Sequence, residues 1–226
     1  MPAPFGASSI DEVAGIADQP LGSFVEEVAR ATPAPGGGSS AACACALGAA
    51  LVEMAARVEL GRGSRPGSPA QATEGGVAGG SSVPSDTPER VRSVRVRALE
   101  LAERELTSYE PVLEALRLPG DAPRRAEILE RALVEASEPP LAVVEAAAEV
   151  AELGLAVARE SSPSVRGDAL TGTLLAEAAA AAAASLVEIN LGGRGAESLV
   201  QDARAARARA RAAREAAEAL AEPGGS

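Results

Sequence analysis

The chain contains no histidine, no lysine and no tryptophan, and its only aromatic side chains are Phe5, Phe24 and Tyr109. The side chain that most often moves protons near neutral pH is therefore missing. A core has to be filled with Ala, Val and Leu. That suits helices lying close together rather than a sheet, whose strands favour β-branched and aromatic residues. Cysteine is scarce as well. Cys43 and Cys45 stand two apart on one helical stretch, so their side chains point away from each other and cannot bridge. With no CxxC pair and no histidine they have no partners for a zinc site. They read as small buried hydrophobes in a reducing compartment, and no metal is expected. No basic segment leads into an apolar stretch at the start, as a secretion signal would require. The longest apolar run, Ala41 to Val52, falls well short of the roughly 20 residues that span a bilayer. A cytoplasmic protein without a membrane partner is the expectation.

What is present is 226 residues, 46% of them hydrophobic, with no composition shift that would divide two cores. The net charge of −11 comes from 32 acidic and 21 basic residues, every basic one an arginine. Such a balance argues against a nucleic-acid partner, which needs a basic footprint. It would favour a cationic small substrate, or serve solubility alone.

Residues 1–20 are mixed and read as loosely ordered. Ser23 with Glu26 forms a capping box that opens a short helix to about Ala31. TPAPGGGSS, residues 32–40, follows as a turn stiffened by prolines and freed by glycines. A long small-residue helix runs from Ser40 to about Leu60, apolar on every side as a central helix would be. Residues 61–86, rich in Gly, Ser and Pro, read as a disordered loop. Thr87 caps a helix to about Leu116 that Pro111 should break. Asp121 caps another to Ser137, Pro139 and Pro140 open one reaching Arg159, and Asp168 to Asn190 form a second Ala-rich helix. A last helix spans Ala196 to Ala221. The expected fold is all-α, a single-domain multihelical bundle over residues 21–222 with two central Ala-rich helices.

Three segments in this order resemble the cyclodeaminase/cyclohydrolase family of folate one-carbon enzymes, which includes the C-terminal domain of formiminotransferase-cyclodeaminase and stand-alone methenyltetrahydrofolate cyclohydrolases. The first is FVEEVARATPAPGGGSSAACACALGAALVEMAARVELG, residues 24–61, with the family's P-x-P-G-G-G-S turn before a small-residue helix. LTSYEPVLEALRLP, residues 106–119, is similar to its D-x-x-A-[YF]-x-x-V pattern. SSPSVRGDALTGTLLAEAAAAAAASLVEINL, residues 161–191, is similar to its G-N-P-N-x-x-S-D-A … N-V-x-I-N-L stretch. The chain departs from the family in four places. Gly61-Arg62-Gly63-Ser64-Arg65 replaces G-K-K-K-Y, Glu105 replaces the Asp before the aromatic, Ser162-Pro163-Ser164 replaces N-P-N, and Gly167-Asp168 replaces S-D. The resemblance implies a helical homodimer with a tetrahydrofolate site near the Gly-rich turn, and no cofactor beyond tetrahydrofolate as the substrate.

The implied reactions are hydrolysis of 5,10-methenyltetrahydrofolate to 10-formyltetrahydrofolate and cyclodeamination of 5-formiminotetrahydrofolate. Hydrolysis is slightly favoured because no transferase domain is fused to the chain. Each reaction needs one group to take a proton and one to give it, help worth about 10²–10⁴-fold. Without His or Lys the carriers are carboxylates, Tyr109 and water, since Arg stays protonated. Glu105, Asp168 and Tyr109 are the catalytic candidates, and Glu105 lies four residues before Tyr109 on one helix face. The alternative reading makes Glu105 a solvated charge and Asp168 a helix cap. Pro35, Gly36, Gly37, Gly38 and Ser39 precede a helix N-terminus, where free N–H groups favour an anion or polar ring. With Arg62, Arg65 and Asn190 they form the candidate substrate-binding set. Arg204, Arg207, Arg211 and Arg214 recur at helical spacing and suit a polyglutamate tail, a dimer partner or a solvated face.

Overall fold

The computed structural model describes residues 15–63, 82–193 and 196–221. Among these residues the chain forms eight helices and no strand: α1 Leu21–Val28, α2 Gly37–Gly63, α3 Thr87–Ser108, α4 Glu110–Arg117, α5 Arg125–Glu135, α6 Glu138–Glu160, α7 Pro163–Leu191 and α8 Glu197–Ala219. The all-helical, single-domain expectation holds.

Several helix starts differ from those the sequence predicts, each for a local reason. Helix α1 begins at Leu21, because Pro20 accepts the Phe24 N–H and leaves Ser23 inside the first turn without a cap bond. Gly37 and Gly38 belong to the first turn of α2, whose ladder starts with Ser40 N–H on the Gly36 carbonyl at 3.0 Å. The break expected at Pro111 falls at Tyr109. Pro111 sits in the first turn of α4, where its missing N–H costs nothing. Helix α5 starts at Arg125 rather than Asp121, after Arg124 turns the chain with φ 61°. Helix α7 starts at Pro163, so Asp168 lies inside it rather than at its cap.

Two segments read as loose are partly ordered. Ile16 is buried, and the Ala17 N–H donates to Glu103 Oε1 at 3.4 Å, while residues 1–14 lie outside the described part. Residues 61–63 continue α2, and after 64–81, which are not described, Val83 is buried and Ser82 hydrogen-bonds Glu160.

Helices α2, α6 and α7 form the centre, with α3 against α2 and α8 against α6 and α7. The outer helices bury one stripe each, as Ala203, Ala206, Ala210, Ala213 and Ala217 do on α8. At the centre, α2 and α7 run antiparallel and touch backbone to backbone. A Cβ at Gly48 would lie 2.7 Å from the Gly172 carbonyl oxygen, and one at Gly172 would lie 2.7 Å from that of Gly48. Helix α3 also runs antiparallel to α2. Ser39 donates to the Ala102 carbonyl, and further along Glu53, buried, pairs with Arg95 at 2.8 Å and with Arg57 at 2.6 Å. Cys45 is fully buried, and burial pushes its thiol up to about 12. Cys43 is half-buried.

The two central helices are not enclosed on all sides. Leu47, Met54 and Val58 on α2, and Leu174 and Ile189 on α7, are exposed. By length and composition alone both helices are long and apolar enough to cross a bilayer, as buried core helices also can be, a property the uninterrupted apolar run does not reveal. Within the bundle 56% and 44% of those apolar stretches are buried. A smaller core of Val112, Ala132, Leu133 and Ala136 joins α4 to α5 beside the main one.

Candidate functional site

Four chain segments converge at one end of the bundle. The start of α2 supplies Gly36, Gly37, Gly38 and Ser39. The last turn of α3 supplies Glu105 and Ser108, and Tyr109 marks the break before α4. The end of α7 brings Leu186, Ile189 and Asn190. Together with Pro33, Ala136 and Pro140 they line a cavity of about 260 Å³. The positions follow from local rules. Ser39 Oγ holds the start of α2 to α3 by donating to the Ala102 carbonyl at 3.2 Å, and Ser40 Oγ closes the first turn on the Gly36 carbonyl at 2.8 Å. The Ala34–Pro35 bond is cis, and Pro35 does not line the cavity.

Glu105 is the unusual group. Its carboxylate lies directly over Gly38, where a Cβ would come within 2.0 Å of Oε2 and 2.3 Å of Cδ. The glycine thus makes room for the carboxylate at the N-terminus of α2, where unpaired N–H groups and the helix dipole favour negative charge. Ser108 Oγ approaches Oε2 at 3.5 Å, while Oε1 is buried with no hydrogen-bond partner. Burial pushes the carboxyl up to about 7, against smaller downward pulls from the Ser108 hydroxyl and Arg104. A carboxyl raised toward neutrality by burial is suited to both halves of a proton transfer.

Of the residues named from sequence, Gly36, Gly37, Gly38, Ser39, Glu105, Tyr109 and Asn190 come together here. Asp168 and Arg62 do not. Asp168 lies about 33 Å along α7 from Asn190 at 1.5 Å rise per residue. Arg62, at the far end of α2, donates to Ser164 Oγ at 3.0 Å. At that end Glu59 Oε1 accepts the Ser162 hydroxyl at 2.6 Å and its N–H at 3.1 Å. Arg65 lies outside the described residues. The α8 arginines are largely occupied on the surface, with Arg204 on Glu188, Arg211 on Glu215 and Arg214 on Glu218. Among the described residues no three His, Cys, Asp or Glu side chains converge to hold a metal ion.

Sequence reasoning missed Pro33, Ser108, Leu186 and Ile189. Two had a legible signal, since Ser108 is three residues from Glu105 and Leu186 is four from Asn190, each on its partner's helix face. It also missed a second chamber of about 360 Å³ that shares Pro33, Glu105 and Tyr109 with the first and is walled by α4.

A cleft sheltering a carboxyl group that titrates near neutrality, at a helix N-terminus of an all-α bundle, has the makings of an acid–base site for a small polar ligand. The chain belongs to the formiminotransferase-cyclodeaminase family, whose profile matches residues 20–209. It is 34% identical over 134 residues to the formimidoyltransferase-cyclodeaminase of Sus scrofa, covering 58% of this chain and 23% of that protein. It is 27% identical over 180 residues to the methenyltetrahydrofolate cyclohydrolase of Methylorubrum extorquens, covering 78% of this chain and 81% of that one. Among solved structures, formiminotetrahydrofolate cyclodeaminase from Thermotoga maritima superposes with a TM-score of 0.70 at 20% identity, over 89% of this chain and 95% of that one, which shows the shared fold. The kinship implied by the three ordered motifs is thereby established.

Proposed function

We propose that the chain is a folate one-carbon enzyme that hydrolyses 5,10-methenyltetrahydrofolate to 10-formyltetrahydrofolate. The observation that carries this reading is Glu105, sheltered over Gly38 with its carboxyl near 7 and facing a cavity sized for a ring system. The substrate's bridging carbon is a cationic amidinium. Ionised Glu105 takes a proton from water as the oxygen bonds to that carbon. The same group then returns the proton to N5 as the C–N5 bond opens, and the adduct's hydroxyl proton leaves to solvent. A nearby carboxylate also stabilises the cation before attack. Tyr109 offers a ring face and a hydroxyl at the cavity mouth. Asn190 and the first N–H groups of α2 are positioned to hold the polar edge of the pterin.

Hydrolysis is supported by the match to the Methylorubrum extorquens cyclohydrolase over most of both chains. Cyclodeamination of 5-formiminotetrahydrofolate is the second reading, supported by the higher identity to the Sus scrofa protein. A folate-binding module without turnover is a third, favoured by Gly61-Arg62-Gly63 standing where the family resemblance implies a Lys-rich stretch. The test is decay of methenyltetrahydrofolate absorbance with and without the protein, run beside ammonia release from the formimino compound and a folate titration. Decay at the buffer rate despite binding would remove hydrolysis, and ammonia release would then select the second reading.

The protein is further proposed to act in the cytoplasm as a homodimer. The support is the apolar outer face shared by α2 and α7, with Leu47, Met54, Val58, Leu174 and Ile189 exposed. Exposed apolar side chains carried by these two helices suit burial against a second copy.

A further inference from the structure

The outer chamber of about 360 Å³ opens from the inner cavity across Glu105 and Tyr109, which line both. Its far wall is one face of α4, where Glu110, Leu113, Glu114 and Arg117 stand at i, i+3, i+4 and i+7. Among the described residues, Glu110, Glu114 and Arg117 make no ion pair and no side-chain hydrogen bond. Their charges are thus open to a ligand, and they are ordered along the helix, two negative near Glu105 and one positive beyond. Glu110 and Arg117 are separated by about 10 Å along α4 at 1.5 Å per residue.

A methenyl folate has the same polarity. Its cationic ring lies at one end, and a para-linked aromatic amide carries the glutamate carboxylates roughly 10 Å away at ordinary bond lengths. We propose that the charged face of α4 reads this polarity and sets the substrate's direction, with Glu110 and Glu114 flanking the cationic end and Arg117 pairing with the first glutamate's carboxylate. The assignment rests on the folate reading above. Glu110 and Glu114 favour the cationic substrate over the neutral formyl product, so the wall discriminates between them. Arg117 is a positioning residue, remote from the reacting atoms.

Steady-state kinetics with methenyltetrahydrofolate and with an analogue whose glutamate is replaced by an uncharged methylamide test this. Arg117→Gln is expected to raise KM for the glutamyl substrate about fivefold and to leave KM for the truncated one unchanged, the range of a partly exposed charged pair. The double variant Glu110→Gln/Glu114→Gln should raise KM for the cation several-fold without weakening binding of 10-formyltetrahydrofolate, measured by calorimetry. Circular dichroism melts confirm that each variant is folded. If Arg117→Gln alters both substrates alike or neither, or the double variant weakens substrate and product equally, the wall does not read charge. That result leaves the functional reading standing. A wild-type chain that neither binds nor converts either folate overturns the functional reading, and this inference with it.

Discussion

Replacing Gly38 with alanine separates function from stability at one atom. The added Cβ would sit 2.0 Å from Glu105 Oε2, and ordinary contact begins at 3.4 Å, so the carboxylate must retreat by more than 1 Å. The three nearest atoms in the way all belong to the carboxyl end of that flexible side chain. The fold should tolerate the change: alanine in a helical turn is up to about 1 kcal/mol better than glycine, which for a chain of this size is a Tm shift of about 2–4 °C. Catalysis should not tolerate it. A displacement of about 1 Å of a positioned group costs about 10²-fold in rate, equivalent to about 2.7 kcal/mol. The displaced carboxyl also moves toward water, so the apparent pKa in the rate profile should fall from near 7 toward the ordinary carboxylate range. The assay is methenyltetrahydrofolate turnover from pH 5 to 9, with thermal melts of both proteins. Full activity with an unchanged pH profile would refute the role given to Glu105. A Tm loss above about 10 °C would refute the claim that the carboxylate can yield.

Glu105→Gln should lower kcat by about 10²–10⁴-fold and remove the rate's dependence on a group near pH 7. Its effect on stability has a definite sign. Between about pH 4.5 and 7 the folded chain holds a proton that the unfolded chain has lost, so wild-type stability falls as pH rises through that window, whereas the Gln variant lacks this slope. Melts of both proteins at pH 5 and 8 read the difference, discounted to about 1–2 kcal/mol because the group is partly solvated. Gly48→Ala drives a methyl into the Gly172 carbonyl, which cannot swing away, and should cost about 1–3 kcal/mol by thermal melt. Met54→Glu on the exposed face of α2 should convert a dimer to monomers in sedimentation velocity, and an unchanged sedimentation coefficient would place any interface elsewhere. Asp168→Asn should change turnover less than about twofold; a loss of about 10²-fold would bring the opposite end of the bundle into the chemistry.

The all-helical class was legible because alanine-rich segments and scarce aromatics leave helix packing as the economical way to bury surface, and the Ala stripe of α8 shows that logic directly. The gathering of the Gly36–Ser39 turn, Glu105 and Asn190 was legible through motif order. The division of the named residues between two ends was not. Asp168 and Asn190 share one segment in sequence, and only the unbroken run of α7 from Pro163 to Leu191 reveals how far apart it holds them. The state of Glu105 was equally hidden, because it depends on Gly38, a residue 67 positions earlier that meets it only after α2 and α3 pack. Helix starts were misplaced wherever proline or an unusual backbone angle outweighed a polar cap, as at Pro20 and Arg124.

The α4–α5 hairpin carries its own small knot of Val112, Ala132, Leu133 and Ala136, apart from the main interior. A wall built this way can swing or unravel while the alanine bundle stays intact, because little apolar surface is exposed when it does. Amides of α4 should therefore exchange with deuterium sooner than those of α7. A guest clasped against that wall would slow their exchange and lend the hairpin the firmness it lacks alone.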